Sequence, residues 1–152
     1  MTDNTLKNTI SAAMKDAMRA KDKQRLGAIR LILADIKRIE VDERIDIDDT
    51  RVLAILDKMT KQRRDSITQF NAAGRDDLSA QEEAELAIIA EFLPAALSEQ
   101  ELDELIASAI NDSKAESMRD MGKVMGILKP QLQGRADIGA VSQLIKTRLG
   151  AL

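Results

Sequence analysis

Apolar residues recur at intervals of three and four along almost the whole chain, and that spacing puts each group on one face of a helix. Leu6, Ile10, Ala13 and Ala17 share a face that Met14 and Met18 widen. Leu26, Ile29, Leu33 and Ile36 follow in the same rhythm. Val52, Ile55, Leu56, Met59 and Phe70 mark a third, long helix, with Asp48 or Asp49 as its N-cap and Gly74 just past its end. Ser79 with Glu82, and Ser98 with Glu101, form capping-box patterns that open a fourth and a fifth helix. The fifth carries Leu102, Leu105, Ile106, Ala109 and Ile110. Met121, Val124, Met125 and Leu128 make a sixth that ends near Pro130. Asp137 caps a seventh, with Val141, Leu144, Ile145 and Leu149.

The 152 residues include two aromatic side chains, Phe70 and Phe92. The core therefore has to be aliphatic, and much of the usual strand vocabulary is missing. The expected fold is all-α, a four-helix N-terminal part followed by a three-helix C-terminal bundle. Pro94, inside Phe92-Leu93-Pro94-Ala95-Ala96-Leu97, restricts Leu93 and removes a backbone donor, so it divides residues 1–93 from 94–152. The opening stretch MTDNTLKNTI has no apolar run, and no segment approaches the roughly 18 apolar residues of a membrane span. A cytoplasmic location is expected.

The chain has no Cys and no His. Thiolate nucleophiles, Ser–His dyads and Cys/His zinc sites are excluded with them. No strand precedes a glycine-rich phosphate loop, and no aromatic platform exists for stacking bases. Paired acids such as Asp48/Asp49, Asp76/Asp77 and Glu82/Glu83 read as caps and first-turn carboxylates. No catalytic residue, metal site or cofactor is expected.

Net charge is −3, which argues against a general polyanion binder, yet the signs come in blocks. Residues 5–38 hold nine Lys/Arg against three acids, and 39–57 hold seven acids against two bases. Residues 58–64 are +4, and 65–91 hold seven acids against one base. Residues 93–112 hold five acids and no base, whereas 113–152 hold seven bases against three acids. Either neighbouring helices neutralise one another, or helices six and seven present a basic face.

The most informative motif is Asp120-Met121-Gly122-Lys123-Val124-Met125-Gly126. Gly122 and Gly126 lie four apart, and Arg119 and Lys129 extend their stripe, with Lys123 at its edge. The stripe lies away from the apolar face of that helix. Each glycine costs about 1 kcal/mol relative to Ala inside a helix, so it calls for a reason. One reason is another helix crossing closely there. The other is a bare strip, flanked by cations, onto which a phosphate backbone or a partner can settle. Gly134-Arg135-Ala136-Asp137 offers either a turn and cap or an anion site at the start of the seventh helix. Lys146 lies opposite the core face of that helix. Lys61, Arg63 and Arg64 form a secondary basic patch, or else pair with nearby acids.

MKDAMRAKDKQRLGAIRLILADI, KMTKQRRDSITQF, AGRDDLS, EFLP, DMGKVMG and GRAD, taken in order, resemble the GatB/YqeY family over essentially the whole length. The resemblance implies a larger helical bundle followed by a three-helix bundle. The latter is similar to the tail domain of the GatB component of the glutamine-dependent aspartyl/glutamyl-tRNA amidotransferase. In that carbon–nitrogen ligase the tail contacts tRNA, while glutamine-fed amidation belongs to other domains. A similar module is attached to some glutaminyl-tRNA synthetases. The resemblance thus implies a non-catalytic tRNA-binding accessory role in translation. Its partners would be tRNA and an amidotransferase or aminoacyl-tRNA synthetase. The matching motif positions are Gly122, Lys123, Gly126, Gly134, Arg135 and Lys146, and the cations among them would meet the tRNA backbone. The alternative is a helical protein–protein interaction protein with no RNA role. On either reading the purified chain alone should show no ATPase, glutaminase or amide-transfer turnover in a coupled assay. Turnover that survives repurification and disappears with one carboxylate or lysine substitution would contradict this.

Overall fold

A computed structural model describes residues 5–152. Those residues form seven α-helices and no strand. They are α1 (Thr5–Ala20), α2 (Lys23–Glu43), α3 (Asp49–Ala72), α4 (Asp76–Ala90), α5 (Glu99–Ser113), α6 (Met121–Leu132) and α7 (Ile138–Gly150). A 3-10 turn, Met118–Asp120, leads into α6. The chain divides into two compact units between Leu93 and Pro94. No helix among the described residues is long and apolar enough to cross a membrane.

The N-terminal unit packs α1 to α4 around Ile10, Ile29, Ile32, Ile36, Leu56 and Ile89, all sealed from solvent. Met18, expected in this core, is half exposed. Asp22 and Asp48 cap α2 and α3, accepting from the backbone N–H of Arg25 and Arg51. The third helix stops at Ala72, and Gly74 follows with φ of +70°, a left-handed conformation that glycine adopts without strain. The fourth helix starts three residues before the expected capping box. Asp76 and Asp77 occupy its first turn, where carboxylates suit the helix dipole, and Arg75 forms an ion pair with Asp77 at 3.2 Å. Ser79 is consequently inside α4 and buried, a small residue on a buried face.

The C-terminal unit packs α5, α6 and α7 around Ile106, Val124, Leu128, Leu132, Ile145 and Leu149. Ser98 caps α5 through the N–H of Glu101, as its capping-box pattern predicts. Pro130 does not end α6, which continues to Leu132. A proline in the last turn removes only the bond that would reach the Gly126 carbonyl, and residues beyond it still donate backward: Gln133 N–H reaches Lys129 O at 3.1 Å. Three helices are followed by a basic residue in the left-handed region, Lys21, Arg44 and Lys114, with φ between 55° and 57°.

One polar contact ties the start of α1 to the far end of α2. Lys7 Nζ donates to both Glu40 oxygens, at 3.0 and 2.8 Å, and the Ile47 N–H donates to Oε2 at 3.2 Å. The Lys7 hydrogen bond, followed by the Ile47 N–H and the Lys7 charge, outweighs desolvation and holds the Glu40 carboxyl below its ordinary value of 4.5. A carboxyl lowered by folding stabilises the fold above its unfolded pKa, and that contribution is lost as pH falls through the folded value. Glu40→Gln should therefore destabilise the chain by about 1–2 kcal/mol near neutral pH in urea titrations. The gap from wild type should close as the pH falls from 4.5 down through the lowered folded value.

Candidate nucleic-acid interface

Helix α6 buries Val124, Met125, Leu128 and Leu132, so Gly122, Gly126 and Lys129 stand on another side and are exposed. A Cβ placed on Gly122 or Gly126 meets nothing within 4 Å. The crossing-helix explanation of the glycines fails on that geometry. The bare strip is real.

The strip also has a neighbour. Ser142 Oγ lies 3.9 Å from Met125 Sδ, so α7 packs beside the α6 flank that carries Gly122 and Lys129. Lys146 follows Ser142 by four residues and so lies on the same side of α7. Lys146 is exposed. Arg119 falls in the 3-10 turn ahead of α6, not on the helix itself. Among the described residues, Arg119, Lys129 and Lys146 have no carboxylate within ion-pair distance.

Three other cations of this unit are engaged. Lys123 Nζ lies 3.5 Å from Asp120 Oδ1. Asp120 accepts from the Glu116 N–H at 2.8 Å; that bond chiefly, with Lys123 among the lesser causes, lowers its carboxyl pKa. Arg135 Nε donates to the Ala95 carbonyl at 3.4 Å, and its Nη2 lies 3.8 Å from Glu101. Its own carbonyl accepts from the Leu97 N–H at 3.0 Å. Arg135 is thus partly a strut between the segment before α5 and the α6–α7 turn. Arg148 pairs with Asp103 on α5. Block neutralisation between helices accounts for these two pairs and leaves Arg119, Lys129 and Lys146 exposed. The anion site expected at the start of α7 is already filled, because Asp137 Oδ1 accepts the Gly139 N–H at 3.0 Å. Gly134, with φ of +76°, makes the turn there.

The secondary patch does not hold together. Arg63 points against α4, its side chain 16% exposed, with Nε 2.9 Å from Glu85 Oε2 and 3.4 Å from Glu82 Oε2. Neither contact is aligned as a hydrogen bond, so the attraction is one of charge at close range. Lys61 and Arg64 remain exposed. The change of sign between residues 58–64 and 65–91 is the signal for this pairing. The identity of the facing carboxylates has no such signal, because it depends on how α3 and α4 are rotated against each other.

Two aliphatic helical units, one with an open glycine strip, define the class: an all-α protein of seven helices among the described residues. The chain belongs to the YqeY-like protein family, whose model matches residues 7–149. Its relatives include the fungal proteins named "Altered inheritance of mitochondria protein 41, mitochondrial". The Pyrenophora tritici-repentis protein is 33% identical over 98% of this chain and 83% of its own length. That of Clavispora lusitaniae is 32% identical over 97% and 86%. The Eremothecium gossypii protein is 40% identical, over 63% of this chain and 52% of its own length. The match to that last protein, like the 56% match to the Vanderwaltozyma polyspora protein, covers little more than half of the relative.

Because the space outside Gly122 and Gly126 is empty, Gly122→Ala and Gly126→Ala should each stabilise the fold, by up to about 1 kcal/mol. Chemical denaturation of the single variants checks this. A loss of stability would mean that the strip is packed.

Proposed function

We propose that the chain is a non-catalytic tRNA-binding accessory module that works with an aminoacyl-tRNA-modifying enzyme, an amidotransferase or a synthetase. The observation that carries the reading is the open backbone at Gly122 and Gly126. Lys129 follows this strip on α6, Arg119 stands at its head and Lys146 is exposed on α7, none of them with an ion pair among the described residues. Double-stranded RNA presents phosphates and 2′-hydroxyls across a wide, shallow groove, and a helix stripped of side-chain bulk can lie close to that surface. The cations then neutralise phosphates, and the glycines set the distance. Arg135 contributes less than its motif position suggests, since reaching RNA would take it from Ala95 and Glu101. The relatives are mitochondrial by name, so the expected cytoplasmic setting widens to include that compartment.

Binding of labelled total tRNA at two salt concentrations tests this. Three or four neutralised phosphates predict a several-fold to tens-fold fall in affinity between about 50 and 200 mM salt. Lys129→Ala and Lys146→Ala should each weaken binding and flatten the salt slope by close to one unit. Gly122→Leu should obstruct approach with the charge and the fold intact. No binding at about 50 mM salt, or binding indifferent to all three variants, would leave the face to a protein partner.

A further inference from the structure

The N-terminal unit carries a second unpartnered face, along α2, and its chemistry is different. Positions seven residues apart put Gly27, Ala34 and Val41 in one row, with Gln24, Leu31 and Arg38 in the row beside it. All six are exposed, Leu31 by 46% and Val41 by 61%, opposite the face on which Ile29, Ile32 and Ile36 enter the core. A Cβ on Gly27 would meet nothing within 4 Å, and a cleft of about 500 Å³ between α2 and α4 opens beside Gly27 and Leu31. The two rows form a seam of small and aliphatic residues interrupted by Gln24 and Arg38, about 25 Å long at 1.5 Å per residue.

Charge on its two flanks selects what covers it. Lys23, Arg30 and Lys37 line one flank, exposed and with no carboxylate at ion-pair distance among the described residues. Asp35 and Asp42 stand on the other; Asp35 makes only a loose contact with Arg38, at 3.8 Å. Two helices paired in parallel bring each flank residue opposite the partner residue five positions further on. Arg30 then meets Asp35 of a second copy, and Lys37 meets Asp42, twice each by symmetry. An antiparallel pair would set the basic flank against itself. A uniformly acidic partner or a nucleic acid would meet Asp35 and Asp42 with like charge. Phosphates would also gain nothing from Leu31 and Val41.

We propose that α2 is a self-association surface, pairing in parallel with α2 of a second copy of this chain through the Leu31/Ala34/Val41 seam and the Arg30–Asp35 and Lys37–Asp42 contacts. Its two-fold symmetry closes at the dimer. With two large apolar side chains per copy, Leu31 and Val41, and with Gln24 and Arg38 on the seam setting register at the expense of strength, the dimer is a weak one. Its dissociation constant should fall in the range of about 10–1000 μM.

Sedimentation equilibrium of the full chain, from low to millimolar concentration, tests this with two surface variants whose fold is checked by circular dichroism. Arg30→Glu/Lys37→Glu makes both flanks acidic, and Asp35→Lys/Asp42→Lys makes both basic. Each alone should dimerise at least about tenfold more weakly than wild type, through like-charge repulsion at four contacts. An equimolar mixture of the two should recover association, as a heterodimer. A wild type that stays monomeric throughout overturns the proposal. So does dimerisation that neither variant alters, or a mixture that fails to associate. A monomeric wild type whose tRNA binding is lost in Arg30→Glu/Lys37→Glu would reassign the face to RNA.

Discussion

Aliphatic side chains meeting across helix faces hold up both units, because the sequence supplies almost nothing else to bury. Burying a Leu, Ile or Val side chain contributes about 1.5–3 kcal/mol, and the two cores are built almost wholly of these. Branched side chains fit only where ridges and grooves match, so helix rotation is set by which Ile or Leu enters which gap. Once rotation is set, the outward faces are set too. The glycine strip of α6 and the seam of α2 are what remains when the aliphatic stripes have been turned inward.

Polar contacts then adjust this frame. Lys7 and Glu40 fasten α1 to the end of α2, Arg63 leans on two carboxylates of α4, and Arg135 braces the segment before α5. Most are partly exposed and individually modest. Their effect is to decide which cations remain available. Of the seven Lys and Arg residues between 113 and 152, three have a carboxylate within 4 Å among the described residues, and the others include the exposed Lys129 of α6 and Lys146 of α7.

Most of this could be read from the chain. Period and capping residues located seven helices, and Asp48, Ser98 and Asp137 cap as their spacing predicts. The misreadings share one cause, local signals overridden by neighbours. Ser79 resembles a cap, but α4 begins three residues earlier, with Asp76 and Asp77 in its first turn, and Ser79 is buried instead. Pro130 resembles a stop, but it falls where few helical bonds remain to lose. At the candidate interface the glycine spacing was legible, whereas its openness was not. A stripe of glycines looks the same in sequence whether a helix fills it or nothing does. Arg63 carried the opposite ambiguity, and only the rotation of α3 against α4 resolves it.

Lys21, Arg44 and Lys114 end their helices in a backbone conformation that glycine takes freely. An L-residue held there costs about 1–2 kcal/mol, while a cation at a helix C-terminus returns about 0.3–1 kcal/mol through the dipole. The exchange is close to neutral or slightly unfavourable in dilute electrolyte. It worsens as ions screen the dipole, because steric strain is indifferent to ionic strength. The ends of α1, α2 and α5 are therefore the parts of this molecule whose local order should respond most to the electrolyte. Fraying there would begin at the chain reversals, leaving the aliphatic interiors untouched.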